Sequence, residues 1–544
     1  MAGRGRRRAQ EVAIRHPGGS IHSRLFERCH SSVLARVGIF LLSGALAVAC
    51  EGVTQRHPRP SNVELRVGFA GANLSGADFG IGQFATLLTF EGLTRPGLDG
   101  RPTPRLAEGW QWENDGLRLR VTLRSGVVFH DGTPLTAAVG AEILRVAVQR
   151  PANLAQYPSF SDIESITPDG DHQLVIDLAR RSAFLPEELS IPITRGTPAL
   201  GTGPYVPARR QEEGGDLVME RFDAYYRGRP SISRVVVKPF EALRTAWSSL
   251  LRGDVDMVSD VPPDAAEFVR SNDVQVLSFA RGYQYIVAFN SRQAPFSSAA
   301  VRRALNIAVN RDELIKVRLQ GAALAATGPL WPKHWAYDSA IRPFPFDPKL
   351  SATMLDDAGF RLRPQADSDK PPARLRFTCL VPSGFAVLER IALDVQKQLY
   401  DVGVDMQFQV LSMLDFNTRI QKGDFEAMLT DIISGPSLGR PFIFWRSSKE
   451  SKGLNVFGYE NADAERLFQL LRTETNEAAI RSTTRRLQQV FLEDPPALFL
   501  AWSERTRAVR RYFDTGEAEQ DPLYTVWRWT ADNPNGQARA ALDQ

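Results

Sequence analysis

Residues 90–136 read FEGLTRPGLDGRPTPRLAEGWQWENDGLRLRVTLRSGVVFHDGTPLT. Within them Leu117, Leu119, Val121 and Leu123 alternate with Arg118, Arg120 and Thr122, the two-residue period of a strand buried on one face. Asp99-Gly100 and Asp131-Gly132 are turn dipeptides of the kind that link strands. Trp110 and Phe129 are expected in the core, and His130 is expected to hydrogen-bond within its turn. The stretch therefore predicts short strands joined by tight turns over an apolar interior.

The same period recurs outside it. Val63 to Phe69 alternates, as do Leu174, Ile176 and Leu178, and later Val404, Met406, Phe408 and Val410. Between these strands lie helical stripes: Val301, Leu305, Ala308 and Val309, then Leu388, Ile391, Val395 and Leu399. Asn310 with Glu313 three residues on has the form of a capping box. Gly201-Thr202-Gly203-Pro204 predicts a tight bend with glycine at positive φ. No repeat of 20–50 residues is visible. Interleaved strands and helices predict an α/β fold. With 544 residues and 43% hydrophobic content, the chain can build a core divided into at least two domains.

The front of the chain reads differently. Val37 to Cys50, VGIFLLSGALAVAC, is an uncharged apolar run suited to a signal-peptide core and short for a spanning helix. Ala47-Val48-Ala49-Cys50 resembles a lipobox, which would make Cys50 the site of lipid attachment. An ordinary secretory signal with an A-x-A cleavage site, or an uncleaved anchor, is the alternative. Residues 1–36 hold eight Arg against Glu11 and Glu27, longer than a usual signal n-region, so translation is expected to start downstream, for example at Val33. That leader contributes +6 to the total of +4, which leaves about −2 for residues 51–544. The later part thus carries no polybasic field for nucleic acid or anionic lipid. Residues 51–62 read as a polar tether. Of three cysteines, only Cys379 falls in the expected fold, inside an apolar strand-like stretch, so no disulfide framework is available.

Signatures of chemistry are missing. The seven His have no zinc-hydrolase spacing, GTGP lacks the G-K-[ST] of a phosphate loop, Gly80-Ile81-Gly82 stands alone, and no G-x-S-x-G occurs. No enzyme, metal or cofactor is expected.

Residues Glu91-Gly92-Leu93, Asp99-Gly100, Leu106-Ala107-Glu108, Trp110, Asp115-Gly116, Leu123-Arg124 and Phe129 to Leu135 together resemble the N-terminal signature of extracytoplasmic solute-binding proteins of family 5. These are the peptide-, oligopeptide- and nickel-binding components of ABC importers. GTGPY at 201–205, FDAYYRGRP at 222–230 and LLRGDVDM at 250–257 continue the resemblance in order. FNSRQAPFSSAAVRRALNIAVNRDELI at 289–315, FDPKLSATMLDDAGF at 346–360 and GLNVFGYEN at 453–461 complete it.

The resemblance implies a two-lobed periplasmic-binding-protein fold, class II-like, with a hinge between lobes. Lobe 1 would be residues 63–282 plus 500–535, lobe 2 residues 283–499, and 536–544 a tail. The chain would cross between lobes near Gln284–Asn290 and Pro495–Trp502. It also implies a peptide-like solute, ABC permease subunits with a cytoplasmic ATPase, a monomer, and a periplasmic location tethered to the membrane by the N-terminal lipid or signal anchor. A ligand sensor on the same fold, or a binder of an oligosaccharide, opine-like acid or metal chelate, is the alternative. Family peptide binders commonly hold the ligand amino group with an Asp in a loop matching 429–441 here. That loop has lost its middle acidic residues, Asp431 falls early on the strand, and Arg440 adds positive charge. A buried ammonium without a carboxylate is costly, so a neutral, acidic or amide-capped ligand is expected. Candidate ligand contacts are Asn73 and Ser75 after the first strand, Tyr283, Tyr285, Trp445 and Trp502 as flat polar-tipped surfaces, and Ser434 and Arg440 in the loop.

Overall fold

Alternation makes Val63–Ala70 strand β1, with Val63, Leu65 and Val67 buried and Glu64 and Arg66 half-buried between them. The computed structural model describes residues 63–532 apart from 71–79, 209–214, 262–264, 267–268, 363–370, 448–452 and 517–519. The leader with Cys50, the tether, Asn73, Ser75 and the tail 536–544 lie outside the described residues. The chain divides into two compact units, Met1–His57 and Pro58–Gln544, and every described residue belongs to the second.

Residues 90–136 fold as four short strands joined by turns, with a 3-10 turn at Asn114–Gly116 and no strand after Leu123. β2 (Thr94–Pro96) and β3 (Pro102–Pro104) form a hairpin around Asp99-Gly100, with Gly100 at φ 81°. β4 (Ala107–Glu113) and β5 (Arg118–Leu123) join β6 (Ile163–Asp169) and β7 (Gln173–Leu178) in an antiparallel sheet of order β4-β5-β7-β6. The buried row Leu119, Val121 and Leu123 packs with Leu174 and Ile176 against Ala141, Leu144 and Val148 of helix Ala137–Gln149. Thr136 caps that helix by accepting from the Val139 amide at 3.3 Å. Phe129 is buried in this core, and Trp110 is half-buried against it.

An eleven-stranded sheet carries the rest. Its further strands are β8 (Tyr205–Pro207), β9 (Leu217–Arg221), β10 (Ile232–Phe240), β11 (Met257–Val261) and the long β12 (Val274–Phe289). They continue with β13 (Ala323–Ala325), β14 (Leu375–Pro382), β15 (Val404–Leu411), β16 (Ala427–Ile433) and the long β17 (Ala497–Arg510). The order is β15-β14-β16-β12-β17-β11-β1-β10-β9-β8, with β13 also on β17. Both faces are buried where the long strands run. Tyr285, Val287, Phe289, Leu498 and Leu500 enter one core, while Ile286, Ala288, Ala497, Phe499 and Trp502 enter the opposite one. At about 1.5–3 kcal/mol for each large apolar side chain buried, these two strands outweigh any single polar contact described below. Helices Ala299–Ile307 and Ala386–Tyr400 cover the first core with Val301, Leu305, Leu388, Ile391, Val395 and Leu399. The first ends at Ile307, two residues before the expected stripe does, and Asn310 caps the next helix, Arg311–Arg318, through the Glu313 amide at 3.0 Å.

The motifs act as joints of this scaffold. Glu91 is buried and accepts from Arg105 (2.6 Å), Tyr225 (3.0 Å) and Thr202 (3.0 Å), so three separate motifs meet at one carboxylate. Asp256 accepts from the Arg66 amide (2.8 Å), the Arg66 guanidinium (2.6 Å) and Tyr512 (2.5 Å). His130 does hydrogen-bond at its turn: Nε2 faces the Gly203 carbonyl at 3.0 Å, and burial holds the imidazole below its ordinary pKa. The GTGP bend differs from expectation. Neither Gly201 nor Gly203 has positive φ; what excludes a side chain there is the Thr89 carbonyl oxygen, 2.1 Å from where a Cβ on Gly201 would stand. Cys379 is fully buried in β14, which pushes its thiol pKa up and keeps it a small hydrophobe.

Candidate functional site

The two long strands exchange neighbours at one level. Ala280 pairs with Glu504, the register slips, and pairing resumes at Gln284 with Trp502. From Tyr283 onward β12 also pairs with β16, while β17 meets β11 from Thr506 onward. At this level Tyr283 is half-buried, Tyr285 is 5% exposed and Trp502 1% exposed. Trp502 meets Trp331 edge to face, ring centres 5.0 Å apart. Gln284 donates to the Gly328 carbonyl at 2.7 Å, yet its Oε1, the Trp502 Nε1 and the Arg505 Nε are buried with no hydrogen-bond partner among the described residues. A buried polar atom left open costs about 1–3 kcal/mol, so three within two short segments mark polar capacity that the fold itself does not use.

Charges surround this floor. Arg505 binds Asp260 at 2.6 Å and lies 4.0 Å from Asp431. Burial alone would lower its pKa, but Asp260, Tyr285 and Asp431 outweigh that and hold it above its ordinary value. Arg507 makes a two-pronged pair with Asp521, at 2.8 and 2.6 Å. Beside these, the Arg95 guanidinium lies over the Tyr524 ring at 4.5 Å and bonds the Gln520 amide oxygen. Tyr283 and Arg95 are both among the groups that influence Tyr524 electrostatically, which ties the hairpin, the crossing and the C-terminal segment into one neighbourhood.

Two further contacts join the first third of the chain to the region after β12. At the β2–β3 hairpin, Trp331 Nε1 donates to the Leu98 carbonyl (2.8 Å) and the Trp335 amide to the Asp99 carbonyl (2.9 Å). Arg101 reaches Glu477 at 2.6 Å and lies over the Trp335 ring. On helix Leu185–Glu188, Glu187 accepts from the Ser437 hydroxyl (2.7 Å) and the Gly439 amide (3.2 Å). Burial pushes its carboxyl up to about 7, against the pull of Ser437, Gly439 and Arg440.

Tyr283, Tyr285 and Trp502 are thus together at the crossing. Ser434 is attached to it, because its amide and that of Gly435 donate to the Gly282 carbonyl at 3.0 and 2.8 Å. The Ser434 hydroxyl is already engaged with the Pro329 carbonyl at 2.8 Å. The stem of Arg440 lies beside Gly435, and its guanidinium is over the Tyr157 ring at 6.0 Å. Trp445 is inside the core, stacked on Phe457 at 4.7 Å. Asp431 is on β16, as its early position in the loop suggested. Arg505, Asp260, Gln284, Arg95 and Tyr524 were not singled out from the sequence. Arg505 sits in the polar stretch Ser503-Glu504-Arg505-Thr506-Arg507, which does not distinguish it from its neighbours, and Arg95 and Tyr524 are over four hundred positions apart with nothing to link them.

A sheet covered on both faces, with two long strands shared by its two ends and an underused polar floor where they cross, is the architecture of a two-lobed binding protein. The family model described as bacterial extracellular solute-binding proteins, family 5 middle, matches residues 101–453. The chain belongs to that family. It is 26% identical over 455 residues to the oligopeptide-binding protein AppA of Bacillus subtilis, covering 78% of this chain and 82% of AppA. It is 28% identical over 324 residues to the glutathione-binding protein GsiB of Pectobacterium atrosepticum, covering 56% of this chain and 59% of GsiB, less than two thirds of that relative's length. The structure of Bacillus subtilis AppA in complex with a nonapeptide superposes with a TM-score of 0.73 at 21% identity, over 88% of this chain and all of that one.

Proposed function

We propose that this solute-binding protein captures a peptide-like solute in a cleft between two lobes and delivers it to the permease of an ABC importer. In this reading the lobes, 63–282 plus 500–535 and 283–499, would join near the crossing of β12 and β17, whose register is the support for it. The observation that carries the reading is the match along most of AppA's length, combined with the polar floor at that crossing. A solute touching both lobes favours the closed form, because only closure makes both sets of contacts. The work is done by differential binding and breaks no bond. Attachment through Cys50 would keep the protein beside its permease, and we propose that it acts as a monomer.

The test is thermal unfolding of the purified protein against panels of peptides, oligosaccharides, opine-like acids and metal chelates. Peptide at 100 times its dissociation constant stabilises the native state by about 2.7 kcal/mol. A shift confined to peptides supports the reading. A shift confined to another panel replaces the peptide with that class and leaves the binding role intact.

A further inference from the structure

We propose that Arg95 receives a carboxylate of the bound solute, with Tyr524 and Gln520 holding the plane of its guanidinium ready. The proposal rests on the solute-binding reading above and names the chemistry of one end of the ligand.

Six enclosed arginines have a carboxylate partner, while Arg311, also buried, is met instead by oxygens of Phe499, Asn306 and Val309. Arg66 has Asp256, Arg105 has Glu91, Arg302 has Asp494, Arg472 has Asp162, Arg505 has Asp260 and Arg507 has Asp521. Arg95 is half-buried and pairs with no carboxylate among the described residues. Its one hydrogen bond goes to a neutral amide oxygen and its one face is covered by a tyrosine ring. Among the described residues the charges that act on it are Arg105, Arg227 and Arg528, all positive, and of these Arg105 is paired with the buried Glu91. Burial therefore lowers its pKa, with Tyr524 giving partial relief. Taking a cation out of water without an anion is unfavourable, and among the described residues Arg95 has neither the carboxylate of those six nor the four oxygen contacts that satisfy Arg311.

Guanidinium geometry says what is missing. Five donors in a rigid fork suit the two oxygens of a carboxylate, and one of those donors is used by Gln520. The stack on Tyr524 restricts rotation of the plane, so little freedom remains to be lost on binding. Position fits as well. Arg95 opens the hairpin whose turn reaches Trp331 and Trp335, and its Tyr524 platform is within electrostatic reach of Tyr283 at the strand crossing.

The experiment compares synthetic peptides bearing a free C-terminal carboxylate with the same peptides as C-terminal amides. Alongside them it compares opine-like acids and dicarboxylates with their methyl esters. Affinity is read by calorimetry for the wild type, Arg95→Gln and Arg95→Lys. Free acids should bind the wild type at least about 30-fold more tightly than their neutral partners. Arg95→Gln should reduce that ratio to near one, and Arg95→Lys should restore part of it, because the charge survives without the fork. Unliganded thermal unfolding of the three proteins checks that each is folded. Equal binding of acids and amides, or an acid preference that persists in Arg95→Gln, overturns the subsite and leaves the peptide-binding reading standing. If peptides fail but small acids bind in an Arg95-dependent way, the subsite stands and the peptide is replaced. If no acid in either set distinguishes wild type from Arg95→Gln, the subsite is overturned whatever else the cleft holds.

Discussion

Gly100 shows how one residue can decide whether a hairpin docks. Its φ of 81° already favours glycine, and a Cβ there would stand 2.2 Å from the Pro436 carbonyl oxygen and 2.3 Å from His334. The turn can therefore dock beside Pro436 only without a side chain. Gly100→Ala should cost about 1–2 kcal/mol in backbone strain and in addition lift the hairpin from Trp331 and Trp335. Ligand affinity should fall about tenfold or more, and small-angle scattering with ligand present should show a larger radius of gyration than wild type. Unchanged affinity would mean that the hairpin is not part of the closed state. The Asp99-Gly100 turn was legible in the sequence as a turn. Its partner at Pro436 was not, because a contact between positions so far apart leaves no trace in local spacing. The aromatic candidates show the same limit: Tyr283, Tyr285, Trp445 and Trp502 look alike as residues, and only the sheet register puts three at the crossing, where Tyr285 and Trp502 are buried in the cores as Trp445 is and Tyr283 alone is half-buried.

Among elements, the short helix Leu185–Glu188 and the loop it touches form a contact that should respond to pH. Glu187 and Glu188 are adjacent and enclosed; burial first, and then the charge of Glu187, raises the Glu188 carboxyl well above its ordinary value. Around them stand Ser437, the Gly439 amide and Arg440 from the loop, the Ser159 amide at 2.8 Å, and Arg472. With the folded-state pKa of Glu187 raised to about 7 from an ordinary 4.5, the folded protein holds a proton that the unfolded chain releases. Native stability therefore falls as pH rises from about 4.5 to about 7, by an amount on the order of 3 kcal/mol for this group. Glu187→Gln keeps the neutral form at all pH values. Its unfolding temperature should match wild type near pH 4.5 and exceed it near pH 8 by a few degrees, with a residual slope left by Glu188. A wild-type slope retained in full by the variant would assign the pH response elsewhere. Strands such as β5, β7 and β15 could be read from alternation, and the helix starting at Arg311 from its cap. The helix Leu185–Glu188 could not, since four residues carry no period and their burial depends on Ser437 and Gly439 from a distant loop.

At the scale of the whole molecule, the decisive fact is that the two lobes do not own separate sheets. β12 and β17 contribute apolar side chains to cores at both ends: Val274 and Ala508 pack in one small cluster, while Ile286 and Phe499 pack in another far along the same strands. A sequence reading of two lobes with two crossings suggests bodies joined by linkers that could melt independently. Strands of sixteen and fourteen residues in place of linkers argue otherwise. Unfolding one end would strip half of β12 from β17 and expose both faces of the remainder, so neither end has a stable state alone. Calorimetry of the ligand-free protein should therefore show a single transition with the calorimetric and van't Hoff enthalpies nearly equal. For roughly 470 folded residues the unfolding entropy is about 1 kcal/mol per kelvin. The stabilisation of about 2.7 kcal/mol from a hundredfold excess of ligand then moves that transition by about 3 °C. Because the ligand would bridge both halves, the peak should move as a whole without broadening. Two resolved transitions, of which ligand moves only one, would show that the long strands act as tethers and that the solute is held by a single lobe.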